Sequence, residues 1–110
     1  MYIRINDELV NLDLIKSISK VIPFLVHPSD GQDYSLVLNA KDELRWLEIS
    51  TNGNEQQREY SVVYGFQINR LNEKYPQNIM VGTSSQADKV REEFATFLNN
   101  NQPIIHVIKF

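Results

Sequence analysis

The chain has 110 residues, of which 42% are hydrophobic, and its 11 basic and 14 acidic side chains give a net charge of -3. This length predicts one domain over residues 1–110 with a single core. The sequence has no basic cluster, which argues against binding to nucleic acid or to a membrane surface, and no cysteine, which excludes disulfides and thiolate metal sites. Because it also lacks an apolar leader and a long apolar run, we expect a cytoplasmic protein without a membrane span.

The first part of the sequence predicts short strands separated by turns. Residues 2–5 and 9–12 read as two strands around a tight turn at 6–8, whose residues tolerate turn geometry. Residues 15–22 alternate in polarity as a strand does, until Pro23 interrupts the pattern.

Two prolines shape the prediction for the next segment. Because proline has no N–H for a ladder, Pro23 and Pro28 predict an edge strand at best, and residues 27–33 read as a loop. A strand, a turn and another strand are then predicted over residues 34–40, 41–43 and 44–50. Asn52 and Gly53 form the commonest short hairpin signal, which predicts that the second of these strands folds back against the following one.

The stretch over residues 60–69 is the most informative in the chain. Its even positions are apolar or aromatic and most of its odd positions are small or polar, so its period of two predicts a half-buried strand in an antiparallel sheet. A helix is the alternative, because a helical stripe that ends before Pro76 is also formed by Tyr60, Tyr64, Ile68, Leu71 and Tyr75. Gly65 and the density of β-branched and aromatic residues favour the strand.

The clearest helix is predicted over residues 85–98. Ser85 stands three residues before Asp88, as an N-cap hydroxyl followed by an acid in the first turn. The apolar residues on one helix face are Ala87, Val90, Phe94, Phe97 and Leu98. The asparagines at 99–101 and Pro103 predict its end. Strands are predicted on either side of the helix, over residues 79–82 and 104–110.

The last predicted strand is apolar on both faces. Ile104, His106, Ile108 and Phe110 face one way, and Ile105 and Val107 face the other. Such a strand needs cover on both sides, which one helix and one small sheet do not readily supply. We therefore expect residues 103–110 to pair with, or pack against, a second copy in a homodimer, with insertion into the protein's own sheet as the alternative.

Few residues suggest chemistry. The only histidines, His27 and His106, have no partner at metal-ligand spacing, so neither metal nor catalytic residues are predicted. Residues 30–33 lack the ligand pattern of a calcium loop, and no serine lies in a nucleophile elbow. An active site assembled from distant residues stays open. Four aromatic residues could form a recognition surface: Trp46, Tyr60, Tyr64 and Phe66. The alternative is that they belong to the core, which is the commoner position for aromatic residues at strand spacing.

The most suggestive segment is the loop before the helix, formed by Gly82, Thr83, Ser84 and Ser85. The unpaired amides of a helix N-terminus can hold an anion, so the loop predicts a site for a small anion or phosphometabolite. It has no following lysine and no second glycine. A cap in which Ser85 itself satisfies the amides is therefore the competing interpretation.

Two segments carry a resemblance to known proteins. Residues 11–18 read Asn-Leu-Asp-Leu-Ile-Lys-Ser-Ile, and residues 85–98 form the Ser-capped amphipathic pattern. In both, the chain resembles a group of short uncharacterised bacterial proteins that begin with a strand and turn leading into Asn-Leu-Asp-x-Ile-x-x-Ile. The resemblance implies a strongly bent sheet closed by a C-terminal helix, similar to the pleckstrin-homology-like fold, whose functions are mostly docking.

These patterns together predict an α+β fold. A mostly antiparallel, curved sheet is packed by one C-terminal amphipathic helix and followed by a final strand, in a pleckstrin-homology-like barrel or roll. The predicted function is a non-enzymatic docking or assembly module of a bacterial or phage protein, with a protein partner and no cofactor. The alternative is the small-anion or phosphometabolite binder.

Overall fold

The computed structural model describes residues 2–5, 8–29, 32–54, 59–100 and 106–108. In these residues the fold is α+β, with two helices and a curled antiparallel sheet that forms a half-barrel. The strands are β1 (Tyr2–Ile5), β2 (Glu8–Asn11), β3 (Ile15–Ile18), β4 (Ile22–Ser29), β5 (Gln32–Val37), β6 (Ser61–Arg70), β7 (Gln77–Gly82) and β8 (His106–Ile108). The helices are α1 (Ala40–Asn52) and α2 (Ser84–Asn100). Neither of these two helices is long and apolar enough to cross a membrane.

The predicted strands over residues 2–5, 9–12 and 79–82 are confirmed as β1, β2 and β7, with ends that shift by one or two residues. The predicted helix over 85–98 lies inside α2 and is also confirmed. The parts of the predictions that lie outside the described residues are 6–7, 30–31, 55–58, 101–105 and 109–110.

Strand β6 is the centre of the large sheet, which confirms the strand predicted over residues 60–69. β3 and β4 pair with one edge of β6, β7 pairs with the other edge, and β5 pairs with the far edge of β4, all antiparallel. At Gly65 the backbone of β7 comes so close that an added Cβ would lie 1.9 Å from the carbonyl oxygen of Ile79. Gly65 therefore lets the two strands meet, and the alternative helix is wrong.

Ser19 joins the ladders of β3 and β4, which run in line along β6. Its N–H donates to the carbonyl of Gln67 at 2.8 Å, and its Oγ accepts the N–H of Gln67 at 2.8 Å. One hydroxyl thus satisfies the backbone donor that the break between the two strands would leave unpaired. Nε of Arg91, in α2, donates to the carbonyl of Ser19 at 2.5 Å and ties the helix to this junction.

The largest core cluster joins β1, β2, β6, β7 and α2. Its buried members are Ile3, Val10, Leu12, Phe66, Ile68, Ile79, Val90, Phe94 and Phe97. The rings of Phe66 and Phe94 lie 5.6 Å apart between centroids and are tilted by 54°, within the favourable range for an aromatic pair. The helix residues in this cluster follow the spacing of one helix face, as the sequence pattern predicts.

The first and last described segments form a second, three-stranded sheet. β1 is its central strand, with β2 antiparallel on one side and β8 parallel on the other. The final strand predicted over residues 104–110 is wrong in its setting, because β8 (His106–Ile108) pairs with β1 in this small sheet and Ile3 is level with His106. Residues 104–105 and 109–110 of that prediction lie outside the described residues. Local polarity does not disclose a parallel pairing between distant segments.

Helix α1 occupies a segment for which the sequence predicts a turn at 41–43, a strand at 44–50 and a hairpin at Asn52 and Gly53, so these predictions are wrong. Oδ1 of Asn39 accepts the N–H of Asp42 at 2.8 Å and caps the helix, and the acids Asp42 and Glu43 lie favourably in its first turn. The N–H of Gly53 donates to the carbonyl of Ile49 at 2.7 Å and closes the last turn. The turn-like residues are therefore the two ends of a helix. In place of the single predicted helix, the described residues form two.

Strand β4 is paired on both edges and contains Pro23 and Pro28, so the predicted edge strand is wrong. The loop predicted over 27–33 is wrong at residues 27–29 and 32–33, which belong to β4 and β5. The carbonyl of Pro23 accepts the N–H of Leu38 at 3.0 Å. Because the nitrogen and the carbonyl of a strand residue point the same way, the nitrogen of Pro23 faces the β5 side, and β5 has already ended at Val37. Because strand residues alternate, the nitrogen of Pro28 faces the β6 side, before β6 begins at Ser61. Neither proline removes a bond to a neighbouring strand.

Candidate functional site

An open depression of about 480 Å³ lies where β2, the turn after it and the end of β6 meet. Its volume falls in the range of ligand sites, about 300–1,000 Å³. We call it the Arg70 groove, and its lining residues are Leu9, Val10, Asn11, Asp13, Leu14, Arg70, Asn72, Glu73 and Gln77.

The turn between β2 and β3 forms one wall of the Arg70 groove. Oδ1 of Asn11 accepts the N–H of Asp13 at 2.9 Å, a turn that asparagine favours. Leu14 follows with a φ of 62°, in the left-handed region, and its carbonyl accepts the N–H of Leu71 at 2.8 Å. Because this conformation costs a residue other than glycine about 1–2 kcal/mol, the backbone at Leu14 is strained.

The guanidinium of Arg70 holds this wall in place. Its Nη1 donates to the carbonyls of Asn11 and Asp13, at 2.6 and 3.3 Å, and its Nη2 donates to Oε1 of Gln77 at 2.9 Å. The end of β6 is thereby tied both to the turn after β2 and to the start of β7. An arginine fork suits this role because its several donors lie in one rigid plane.

Three exposed leucines lie in or next to the Arg70 groove, and we call them the leucine rim. Leu9 is 48% exposed, Leu14 is 53% exposed and Leu71 is 63% exposed. Leu9 and Leu14 line the groove, and Leu71 is bonded through its backbone to Leu14. Single exposed leucines are ordinary, but apolar groups collected at one depression are typical of a binding surface.

The outer edge of β2 faces the Arg70 groove. The carbonyl of Asn11 accepts from Arg70, which lies outside the β1–β2 ladder, so Asn11 turns its backbone groups away from β1. Backbone groups alternate in direction along a strand, so Leu9 also turns its N–H and carbonyl outward, while Val10 between them faces β1. Within the described part of the chain, no strand pairs with this edge of β2.

The described lining residues of the Arg70 groove carry charges of both signs. The carboxylates of Asp13 and Glu73 and the guanidinium of Arg70 give the lining residues a formal charge of -1.

The loop of Gly82, Thr83, Ser84 and Ser85 caps α2, but its N-cap is Thr83. The N–H of Thr83 donates to Oε1 of Gln86 at 3.0 Å, and the N–H of Gln86 donates to Oγ1 of Thr83 at 3.2 Å, a reciprocal capping box. The predicted N-cap at Ser85 is wrong because Ser85 lies inside the first turn. The anion site stays a prediction, and it is supported if inorganic phosphate shifts the amide resonances of Ser84 and Ser85.

Two of the four aromatic residues come together beneath α1. The ring of Tyr60 lies 5.1 Å from that of Trp46 and 4.4 Å from that of His27, between centroids. Nε2 of His27 lies 3.1 Å from Oε2 of Glu59. Phe66 points instead into the core, so the predicted aromatic stripe is divided between a half-buried cluster and the core.

Tyr64 links β6 to α1. Its hydroxyl donates to Oε1 of Glu43 at 2.5 Å. This hydrogen bond, then burial and the charge of Glu43, raise the pKa of Tyr64 to about 12, because each favours the neutral hydroxyl. α1 has no buried residue, and its Leu44 and Leu47 are exposed on one face.

The remaining predicted site residues lie apart from the Arg70 groove or outside the described residues. His106, Val107 and Ile108 form β8, whereas Ile104, Ile105 and Phe110 are among the residues not described. In the described ranges, no three His, Cys, Asp or Glu side chains are placed to hold a metal ion. The Arg70 groove is not predicted from the sequence, although the Asn-Leu-Asp motif of residues 11–13 forms one of its walls. No local signal marks Arg70.

Comparison with protein-family models, with curated proteins and with solved structures gave no match. The function proposed next therefore depends on the geometry of the Arg70 groove.

Proposed function

We propose that this protein is a non-enzymatic docking module that binds a partner protein in the Arg70 groove. The observation that carries the proposal is the leucine rim. Leu14 combines an exposed apolar side chain with a strained backbone, two costs that a residue selected for stability alone would not carry. Leu9 adds exposed apolar surface in the same groove, and Leu71 is exposed next to it, with its N–H donating to the carbonyl of Leu14.

The leucine rim sets a scale for the interaction. Burying a leucine fully contributes about 1.5–3 kcal/mol, so covering three half-exposed leucines contributes about 3 kcal/mol. A dissociation constant of about 1 mM already needs about 4 kcal/mol. The leucine rim alone is thus too weak, and docking must also use the polar groups of the groove.

The composition of the Arg70 groove supports a binding role over an enzymatic one. Among the described residues that line it there is no histidine, serine, threonine, cysteine or lysine, the usual imidazole, hydroxyl, thiol and amine groups of nucleophilic catalysis. They do include the exposed side-chain amide of Asn72, which is well suited to hydrogen bonds with a polypeptide, whereas the amide oxygens of Asn11 and Gln77 already accept bonds within the protein.

A homodimer through residues 103–110 is a separate proposal. β8 has β1 on one side, and its other edge has no partner strand within the described ranges, so that edge is suited to pairing with a second copy. Light scattering of the full chain over a range of concentrations tests it. A dimeric mass is expected, and a monomeric mass throughout would contradict it.

A pleckstrin-homology-like architecture is the finer form of the fold that we propose. The curled antiparallel sheet and the long C-terminal helix support it. α1 and the small sheet would then be additions to that plan. Since one fold serves many functions, the docking proposal does not rest on it.

Selection of random peptides displayed on phage tests the docking function. Peptides selected on the wild-type protein are measured on a rim variant, Leu9→Ser with Leu71→Ser, and on a matched control, Leu44→Ser with Leu47→Ser on α1. All four leucines are exposed, so both variants are expected to fold, which circular dichroism checks. We expect affinity to fall about ten-fold or more for the rim variant only, equivalent to about 1.4 kcal/mol.

Two results would contradict the docking function. One is that the selected peptides bind the rim variant as tightly as the wild type. The other is that their affinity falls only with the control variant, which would move the binding surface to α1.

A further inference from the structure

We propose that a second depression, between β3 and α2, binds a small amphiphile of the fatty-acid class, with one anionic head and an apolar chain. The depression has a volume of about 420 Å³, within the range of ligand sites. It shares no described lining residue with the Arg70 groove, so this proposal goes beyond the docking function and does not depend on it. We call it the Arg91 pocket, after the arginine of α2 that lines it.

Apolar side chains form most of the described lining of the Arg91 pocket, and they are Leu12, Ile15, Ile18, Ala95 and Leu98. Leu12 is buried, and the two isoleucines and Leu98 are partly buried against the main core cluster. Ala95 shares one face of α2 with Arg91 and Leu98, at spacings of four and three residues. Because its side chain is a single methyl group, space for an apolar chain is left between the helix and the strand.

The charged side chains among the described lining residues are both cations. Lys16 lies on β3 and Arg91 lies on α2, and no carboxylate is among the residues described there. Neither cation forms an ion pair with a described carboxylate. Two positive charges beside an apolar surface attract a ligand with an anionic head and disfavour one with a cationic head.

The hydrogen-bond donors of the Arg91 pocket suit a carboxylate. Nε of Arg91 donates to the carbonyl of Ser19 at 2.5 Å, which holds the guanidinium in place, and its Nη1 and Nη2 have no acceptor within the described part of the chain. Oγ of Ser17, which also lines the pocket, accepts from Nδ2 of Asn69 at 3.2 Å, so its O–H hydrogen is left to donate. A guanidinium edge matches the two oxygens of a carboxylate, so we place the head at Arg91 and the chain over Ala95.

Fatty acids of increasing length on the wild-type protein test the inference. The probes are butanoate, hexanoate and octanoate, with octylammonium as a cationic control that has the eight-carbon chain, and amide shifts in NMR spectra give affinity and site. A fully buried methylene strengthens binding about four-fold, so in an open pocket we expect about two-fold for each methylene and about ten-fold or more between butanoate and octanoate. Octanoate should shift the amides of Lys16 and Ala95, and octylammonium should bind about ten-fold more weakly than octanoate.

Two pairs of variants test the position of the ligand. Ala95→Leu fills the space beside the helix, and its control is Thr96→Leu, at an exposed position of α2 that does not line the pocket. Lys16→Gln removes one cation, and its control is Lys89→Gln, at an exposed lysine of α2. We expect octanoate affinity to fall about ten-fold for Ala95→Leu and about three-fold for Lys16→Gln, with little change in the controls.

The variants are expected to fold, because each changes a side chain that is not fully buried and leucine is a good helix former, and circular dichroism checks this. If Ala95→Leu or Lys16→Gln does not fold, the chain-length series and the cationic control on the wild-type protein still decide.

Four results would overturn the inference. The first is that octanoate does not bind, and the second is that butanoate or octylammonium binds as tightly as octanoate. The third is that Ala95→Leu and Thr96→Leu lose affinity equally, which would mean unspecific binding along α2. The fourth is that the protein sediments with phosphatidylglycerol vesicles but binds no octanoate, which would make a lipid bilayer the source of the anionic head.

Discussion

Gly65→Ala is the substitution for which the structure gives the sharpest expectation. An alanine Cβ at this position would lie 1.9 Å from the carbonyl oxygen of Ile79, 2.9 Å from its carbonyl carbon and 3.0 Å from Cα of Met80. All three are backbone atoms of β7, so no side-chain rotation relieves the clash. The β6–β7 ladder also has its register shift here, between Tyr64 and Gly65.

The geometry sets the size of the effect. An ordinary contact begins near 3.4 Å, so β7 would have to move by about 1.5 Å at Ile79. Overpacking that side chains can absorb costs about 1–3 kcal/mol, and a displaced strand costs more. We therefore expect Gly65→Ala to lower the free energy of unfolding by about 3 kcal/mol or more.

Gly82→Ala is the matched control. Its Cβ would lie 2.4 Å from Oε1 of Gln86, the end of a flexible side chain, and only the capping bond to Thr83 is lost. This costs about 1 kcal/mol. In urea unfolding followed by circular dichroism, with a slope of about 2 kcal/mol/M, the midpoint should fall by about 1.5 M for Gly65→Ala and about 0.5 M for Gly82→Ala.

Two results would refute this reasoning. Equal losses for the two variants would mean that β7 does not cross β6 closely at Gly65. A loss below about 1 kcal/mol for Gly65→Ala would mean the same, since a strand held by its backbone cannot absorb the clash so cheaply.

Two further predictions concern α2 and Tyr64. Thr83→Ala should lower the free energy of unfolding by about 1 kcal/mol in urea, whereas Ser85→Ala should leave it nearly unchanged, and the reverse order would restore Ser85 as the cap. The pKa of Tyr64 is raised in the folded protein from 10.0 to about 12, so the stability that its neutral hydroxyl contributes is complete below pH 10 and lost as the pH rises from 10 to 12. Tyrosinate absorbance should show that Glu43→Gln lowers the pKa of Tyr64, and an unchanged titration would contradict the bond to Glu43.

Elements with a long or repeated pattern could be predicted from the sequence. The strand over residues 60–69 and the helix over 85–98 each repeat one period over many residues, so a single exception does not change the interpretation. Segment 44–50 is too short for that, and its flanking Asp, Asn and Gly residues occur at helix ends as well as in turns. The packing of this segment against the sheet, which the local sequence does not show, decides between a strand and a helix.

The prolines of β4 show a second limit. Whether a proline interrupts a strand depends on where its nitrogen points and on where the neighbouring strand ends. Pro23 lies beyond the end of β5, and Pro28 lies before the start of β6, so neither nitrogen faces a paired residue. Only the register of β5 and β6 shows this.

The candidate site was beyond sequence reasoning for a physical reason. Asn11 and Arg70, which build the Arg70 groove, are 59 residues apart in the chain, and the pairing of β3 with β6 brings them together. The left-handed backbone at Leu14 could not be predicted either, because leucine is not associated with left-handed turns. The outward direction of Leu9 follows from a hydrogen bond, which no pattern of polarity contains.

The absence of buried residues in α1 has a consequence for the motions of the protein. The main core cluster contains no residue of this helix, so α1 adds little to the apolar burial that holds the rest together. Local opening is easiest where few apolar contacts must break, and its free energy is then a small fraction of that of global unfolding. Of the two described helices, α1 is therefore the one that we expect to open locally while the half-barrel stays intact, and limited proteolysis should cleave within α1 before it cleaves within α2.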